Sequence, residues 1–550
     1  MRKLFNLLVV SSTLLLLSCG GGDKHTEKHT VFSYNEGNSI TSLDPAAASS
    51  FENIQGVNQL FNGLVQMNDN LIVEPAIAKK FSISNDGLVY TFNLRSNVFF
   101  HDNNCFKDGK GRKVVAEDFV FSFNRLYDAK VSRALSDVAI IDNSEGKGFL
   151  AVDDSTLKIF LKQPFGAFLN ILTMKYFSVI PHEAIEMYKE DFRKNPVGTG
   201  AFVFKLWEEG TKLILHKNPN YFEIDEQGNR LPYVDGVSIS FIKQRQSAII
   251  ELLNEKLDMI SGADALDDAL SKSGELNEEY TKRFNLQRGP FLKTDYIGIL
   301  IDEDIDIVKN SPLRLKAIRQ AMNYAFDREK MIKFLRKDIG KPATAGFIPM
   351  GLKSFNQDIV KGYSYNPDKV SALLKEAGYP NGEGLPSITI YTTEHYRKLL
   401  EYMQSQFADN HIKVEISIEP NSVLSDKVNK SQFLMFKKSW VADYADEENF
   451  LSKFYSKNFA PNGYNYFHYK NPKFDKLFEQ ALNEKNDSLR RSLYQQMDQI
   501  AMDDAPMIPM FYDEVVRIVN KRVSNLGVNP MNLLNLKTVK KAEKVEKESH

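Results

Sequence analysis

Cysteine is nearly absent from this chain: 550 residues carry only Cys19 and Cys105. A disulfide framework is therefore excluded, and stability has to come from a buried core. With 43% hydrophobic residues the chain can bury a large core, and its length implies about two to four domains. An excess of either charge is missing too. Seventy basic side chains stand against 71 acidic ones with no basic face along the sequence, which excludes nucleic acid as a partner. Reactive constellations are lacking as well. The nine histidines are scattered, no His-Glu-x-x-His helix or nucleophile elbow occurs, and Gly109-Lys110-Gly111 lacks the Lys-Ser/Thr ending of a nucleotide loop. Acid pairs such as Glu208-Glu209 read as solvated surface. No catalytic residue, metal site or cofactor is assigned. Long hydrophobic runs are also absent: the stretch from Leu4 to Leu17, interrupted at Asn6 and from Ser11 to Thr13, falls short of the roughly 20 residues a membrane-spanning helix needs.

That short apolar stretch follows Met1-Arg2-Lys3 and ends in a small residue before Cys19, the pattern of a secretory signal over residues 1–19. Leu16-Leu17-Ser18-Cys19 resembles a bacterial lipobox, which implies that Cys19 is lipidated and becomes the mature N-terminus. Residues 20–30 then form a tether, and the protein is exported and membrane-anchored, facing the periplasm or the cell surface. Residues 537–550 are of mixed charge with little apolar content and read as a solvated tail.

Between these ends the pattern alternates strands and helices. Asn85-Asp86-Gly87, residues that tolerate positive φ, separates Phe81–Ile83 from Val89–Leu94 and predicts a hairpin. Ala116 to Arg125 places Phe119, Ser122 and Phe123 at helical spacing, with acids in the first turn. Ser311-Pro312 predicts the start of a helix carrying Ile318, Ala321, Met322, Ala325 and Phe326. Asn366-Pro367 predicts another, with Val370, Leu373, Leu374 and Ala377 on one face and Gly378 as its stop. Ile388–Tyr391 and Val414–Ile418 alternate as strands, so the fold class is α/β in packed lobes.

Segments in a fixed order carry a family resemblance over nearly all of residues 31–536. They include Ser42-Leu43-Asp44-Pro45, Leu60-Phe61-Asn62-Gly63-Leu64-Val65, Ser84-Asn85-Asp86-Gly87 and Ala116-Glu117-Asp118-Phe119. Further on come Asn195-Pro196-Val197-Gly198-Thr199-Gly200, Asn218-Pro219-Asn220-Tyr221, Leu231-Pro232-Tyr233-Val234-Asp235 and the run from Ile318 to Arg328. The chain resembles the bacterial oligopeptide- and dipeptide-binding proteins, family five of the extracellular solute-binding proteins of ABC transporters. That resemblance implies a two-lobed, type II periplasmic-binding-protein-like fold of the large three-domain class, with a ligand cleft between the lobes. Domain I is expected to take residues 31–70, 195–288 and 508–536, an inserted domain II residues 71–194, and domain III, the opposing lobe, residues 289–507. The implied function is capture of short peptides by lobe closure, without catalysis. Delivery is to an ABC permease and ATPase complex in the inner membrane, with the binding protein acting as a monomer. Sugar or metal-chelate cargo on the same scaffold, and a solute-sensing receptor, stay open as alternatives.

Ser439-Trp440-Val441-Ala442-Asp443-Tyr444 stands where peptide binders of this family carry a Trp-x-x-Asp segment. By that resemblance Asp443 pairs with the peptide α-amino group, a cation that is costly to enclose without a counter-charge. Trp440 and Tyr444 are expected as flat apolar walls, and the backbone of Val441 and Ala442 as a strand-like partner for an extended ligand. Phe61 and Asn62 resemble the family's first-lobe cleft segment. The turn from Asn195 to Gly200 reads as structural. Asn103 to Val115, with Cys105, is an insertion relative to the family.

Overall fold

A computed structural model describes residues 30–262 and 264–543, so the signal segment with Cys19 and most of the tether lie outside the described residues. In the first lobe, Val31–Asn35 lies parallel to Gly236–Ser240, whose other edge carries Lys212–Lys217 and Phe202–Glu208. The alternation Phe32, Tyr34 places both rings in the core. A separate four-stranded antiparallel sheet runs Ala78–Ile83, Val89–Leu94, Thr156–Phe160, Phe149–Asp153. Its first two strands form the expected hairpin, with Gly87 at φ 80° in the turn. The helix Ala116–Asn124 contributes Phe119 and Phe123 to a core shared with Phe32 and Val57. These two sheets thus build one lobe around one apolar interior.

The Asn195–Gly200 turn is structural, as its composition suggested. A Cβ on Gly198 would lie 2.0 Å from Leu60 O and one on Gly200 2.4 Å from Gln59 O, so only glycine allows this loop to seat against the helix Phe51–Leu60.

The opposing lobe surrounds Ile388–Thr392 and Val414–Ile418, a parallel pair, and Met435–Val441. The helix Pro367–Glu376 begins as expected, with the Asn366 side chain accepting from Lys369 N. Ser311 behaves differently: it caps only the short turn Pro312–Arg314, and the helix proper, Lys316–Tyr324, starts after Leu315 returns to extended geometry (φ −79°, ψ 120°). Four guanidinium bonds from Arg319, to the carbonyls of Leu313, Arg314, Asp504 and Ala505, secure that break.

Both lobes share an eleven-stranded sheet. Its centre is two long antiparallel strands, Phe284–Ile299 and Met507–Asn520, which pass from one lobe into the other. Their ladder is interrupted between Pro290 and Thr294, opposite Tyr512 to Glu514. The second crossing therefore lies beyond the boundary expected at 507/508, because Met507 to Tyr512 still pair inside the opposing lobe.

The tail was expected to be solvated, yet its first part is docked. Val539 is buried, Lys537 pairs with Glu223 at 2.6 Å, and Lys540–Lys541 bridges Val523–Ser524. The physical reason is Asp258, a buried carboxylate whose counter-charge is Lys541 at 2.8 Å. The 103–115 insertion packs onto the first lobe: Asp102 holds Lys110 at 2.7 Å, Arg112 pairs with Asp118 at 2.7 Å, Phe106 joins the core, and burial pushes the Cys105 thiol up to about 11.

Where the central strands cross, ion pairs are buried. Lys437 lies 2.6 Å from Asp295, both side chains fully buried. Lys293 lies 3.2 Å from Asp295 and 2.7 Å from Asp513. Burial alone would raise the Asp295 carboxyl, but the two ammonium groups outweigh it and hold it well below the usual range. A depressed folded-state pKa means stabilisation that is complete above the unfolded value, about 4, and lost as pH falls below it. Asp295→Asn leaves Lys437 buried without its charge partner and is expected to cost about 3–5 kcal/mol in urea unfolding near pH 7. The gap between variant and wild type should narrow as the pH is lowered below about 4; a gap independent of pH would contradict this assignment.

Candidate functional site

Strand Met435–Val441 pairs antiparallel with Phe284–Ile299 and ends at Val441, opposite Lys293, where the long strands cross. The segment that follows is therefore delivered into the space between the lobes. Asn449, on the short helix Glu448–Leu451, fixes its shape. The Asn449 Oδ1 accepts from Trp440 Nε1 at 2.9 Å and from Asp443 N at 3.2 Å, while its Nδ2 donates to Asp443 Oδ2 at 3.2 Å.

Asp443, Val441 and Ala442 line a cavity of about 250 Å³ whose other wall, including Ile54, Met67 and Lys175, belongs to the first lobe. A smaller recess of about 60 Å³ adjoins it, sharing Met67 and Lys175, and is lined by Phe61 and Asn62. Phe61 is almost wholly buried and acts mainly as core. Asn62 accepts from Thr199 Oγ1 at 3.1 Å and donates to Tyr221 Oη at 3.3 Å.

Two expectations about the segment need correction. Tyr444 is not a ligand wall: Asp446 N donates to Tyr444 O at 3.0 Å, a tight bend that turns the ring into the apolar core of the first lobe. Trp440 does not line the cavity either, because the Lys453 ammonium sits 3.1 Å from its ring centroid. The two backbone positions also differ. Ala442 N donates to Leu292 O at 2.9 Å, so Ala442 faces Leu292 as a bonded pair and the adjacent pair, Val441 with Lys293, is unbonded. The N–H and C=O of Val441 consequently point to the outer edge of the strand, which its other neighbour, Ile388–Thr392, meets only at Phe436.

The charges around Asp443 are held away from their ordinary states. Asp443 keeps accessible surface toward the cavity, yet surrounding protein desolvates it and raises its carboxyl against the pull of Lys453 and Asn449. Asp137, from the first lobe, is pushed up to about 7 by burial and then by the Asp443 charge. Burial also pushes Glu448 up to about 7 and pulls Lys453 down to about 7. Asp137, Lys453, Asn449 and Lys175 escaped sequence reasoning, since each is an isolated residue in an unremarkable local context. Among the described residues no group of three or more His, Cys, Asp or Glu side chains is arranged to hold a metal ion, and no helix is long and apolar enough to cross a membrane.

The geometry has counterparts. The model of the bacterial extracellular solute-binding proteins, family 5 Middle, matches residues 73–462. The glutathione-binding protein GsiB of Shigella dysenteriae serotype 1 is 26% identical over 505 residues, covering 90% of this chain and 91% of that protein. A dipeptide-binding protein of Escherichia coli strain K12 is 27% identical over 489 residues, covering 86% and 87%. The periplasmic binding protein DppA of Helicobacter pylori, solved in complex with the peptide STSA, superposes with a TM-score of 0.73 at 26% identity, covering 93% of this chain and 99% of that one.

Asn449 is the residue on which the local shape of the site depends. Replacing it with Ala strips partners from the Trp440 indole and the Asp443 amide together, at an expected cost of about 1–3 kcal/mol for each polar group left buried and unpaired. Urea unfolding of Asn449→Ala measures the loss; wild-type stability would show that the segment holds its shape without this side chain.

Proposed function

Because the chain belongs to the bacterial extracellular solute-binding proteins of family 5, we propose that it captures short peptides between its lobes and delivers them to an ABC permease and ATPase complex. The observation that carries the reading is Asp443, a carboxylate with accessible surface toward a cavity walled by both lobes. Burial raises its carboxyl despite Lys453 and Asn449, so a cation entering with the ligand, such as a peptide α-ammonium, would stabilise the charged form. The outward N–H and C=O of Val441 suit main-chain pairing with an extended ligand, a mode that reads backbone and leaves side chains to pockets. The relatives' cargo agrees in kind: glutathione for one, dipeptides for another. Binding, with no chemistry done on the cargo, is part of the same reading. So is anchoring through a lipidated Cys19, which rests on the sequence of residues 1–19.

Calorimetry with free and N-acetylated peptides tests the carboxylate. Asp443→Asn is expected to weaken binding of free-amine peptides by more than about tenfold, the scale of a lost buried charge pair, and to leave N-acetylated peptides unaffected. Equal affinity of the wild type for both peptide forms would sink the role of Asp443.

Lobe closure is tested separately by solution scattering. A saturating peptide is expected to reduce the radius of gyration, since ligand contacts on both walls favour the closed arrangement. An unchanged scattering curve with ligand bound would rule out closure as the mechanism.

A further inference from the structure

The cavity contains a second charge, opposite in sign to Asp443. Lys175 begins the short turn Lys175–Phe177 of the first lobe and lines both the larger cavity and the recess beside it. Among the described residues no carboxylate pairs with it and no aromatic ring lies under it. The neighbouring charge that acts on it is that of Lys537, which repels it and is itself held by Glu223 at 2.6 Å and Gln66 at 2.8 Å. Burial, with Lys537 adding to it, pulls the Lys175 ammonium down to about 8.

Other enclosed lysines of this chain are compensated. Lys437 meets Asp295 and Lys541 meets Asp258. An enclosed ammonium without such a partner is costly in the empty protein, and the cost is removed when an anion enters with the ligand. The Lys175 side chain is also placed for one, since the space it lines is the space Asp443 lines from the opposing lobe.

Resting on the reading that the cargo is a peptide, we propose that Lys175 receives the peptide's C-terminal carboxylate while Asp443 receives the α-ammonium. One cavity then holds both ends of the ligand, and each lobe supplies one of the two charges. The ligand class is a zwitterionic di- or tripeptide. At about 250 Å³, with about 60 Å³ more in the recess, the space falls at the lower end of ligand sites, which run to about 1,000 Å³. A long peptide would have to carry its carboxylate out of this space and would leave Lys175 uncompensated.

The experiment is calorimetry of the purified protein with a panel of free di- and tripeptides spanning the side-chain classes, together with the C-terminal amide of each. For the wild type, amides are expected to bind at least about tenfold more weakly than the free acids. In Lys175→Met and Lys175→Gln the free acids should fall to the affinity of the amides, so that the ratio approaches one. Ligand-free Lys175→Met should also melt at a higher temperature than the wild type, because an uncompensated enclosed charge has been removed. A merely structural lysine would lower the melting temperature and leave the acid-to-amide ratio intact. Peptides that bind with no preference for the free acid, or a preference that survives in both variants, would overturn the role of Lys175 and leave the peptide reading standing. Failure of every peptide to bind would remove both.

Discussion

The strands Phe284–Ile299 and Met507–Asn520 belong to both lobes at once, and the position of every group in the cleft depends on that shared ladder. A sheet continuous through two bodies bends most readily where its register is interrupted, and this ladder is interrupted between Pro290 and Thr294 and shifts again between Asp295 and Tyr296. There Asp295 with Lys437 and Lys293 with Asp513 tie neighbouring strands together with buried charge, and Arg336, at the end of the helix Arg328–Leu335, holds Asp513 at 2.7 Å. Because Met435–Val441 pairs with the same strand and ends opposite Lys293, the residues after Val441 emerge at the pivot line. Asp443 faces the cavity as a consequence of strand register.

Two populations of enclosed charge follow, and they serve different ends. Asp295 with Lys437, and Asp258 with Lys541, are satisfied within the protein. Around the cavity, Asp443 and Asp137 are raised by burial, while Lys175 and Lys453 are lowered by it. Groups of the first kind hold the fold in one arrangement. Those of the second kind make the empty cavity an uncomfortable place for charge, so a ligand that brings complementary charge gains more there than it would in water.

The sequence revealed what local chemistry encodes. Asn85-Asp86-Gly87 marked a hairpin because Gly87 adopts positive φ, and Asn366-Pro367 marked a helix because the Asn side chain bonds back to the first turn. Family order and the Trp-x-x-Asp spacing singled out Asp443, which the fold places on the wall of the cavity. What the sequence withheld depends on partners far away in the chain. The bend at Asp446 that carries Tyr444 into the first lobe has no motif, and neither does the capture of Lys541 by Asp258. Lys175 is the sharpest case, since what distinguishes it is the lack of a counter-charge among the described residues, a property of the assembled fold.

Polar contacts between the lobes include Asn170 Nδ2 donating to Asp446 Oδ2 at 3.3 Å, Gly166 N donating to Leu482 O at 3.3 Å, and the Lys485 ammonium donating to Asn85 O. Hydrogen bonds of this kind contribute about 0.5–1.5 kcal/mol each, and the apolar seat of Tyr444 in the first lobe adds to them. Against them stands the desolvation of Asp443, Asp137 and Lys175, which closing the empty cavity would impose. Moving an equilibrium between open and closed forms from 1:99 to 99:1 takes about 5.5 kcal/mol of differential affinity. A ligand that satisfies an enclosed charge on each wall supplies energy on that scale, and it does so only when the walls meet.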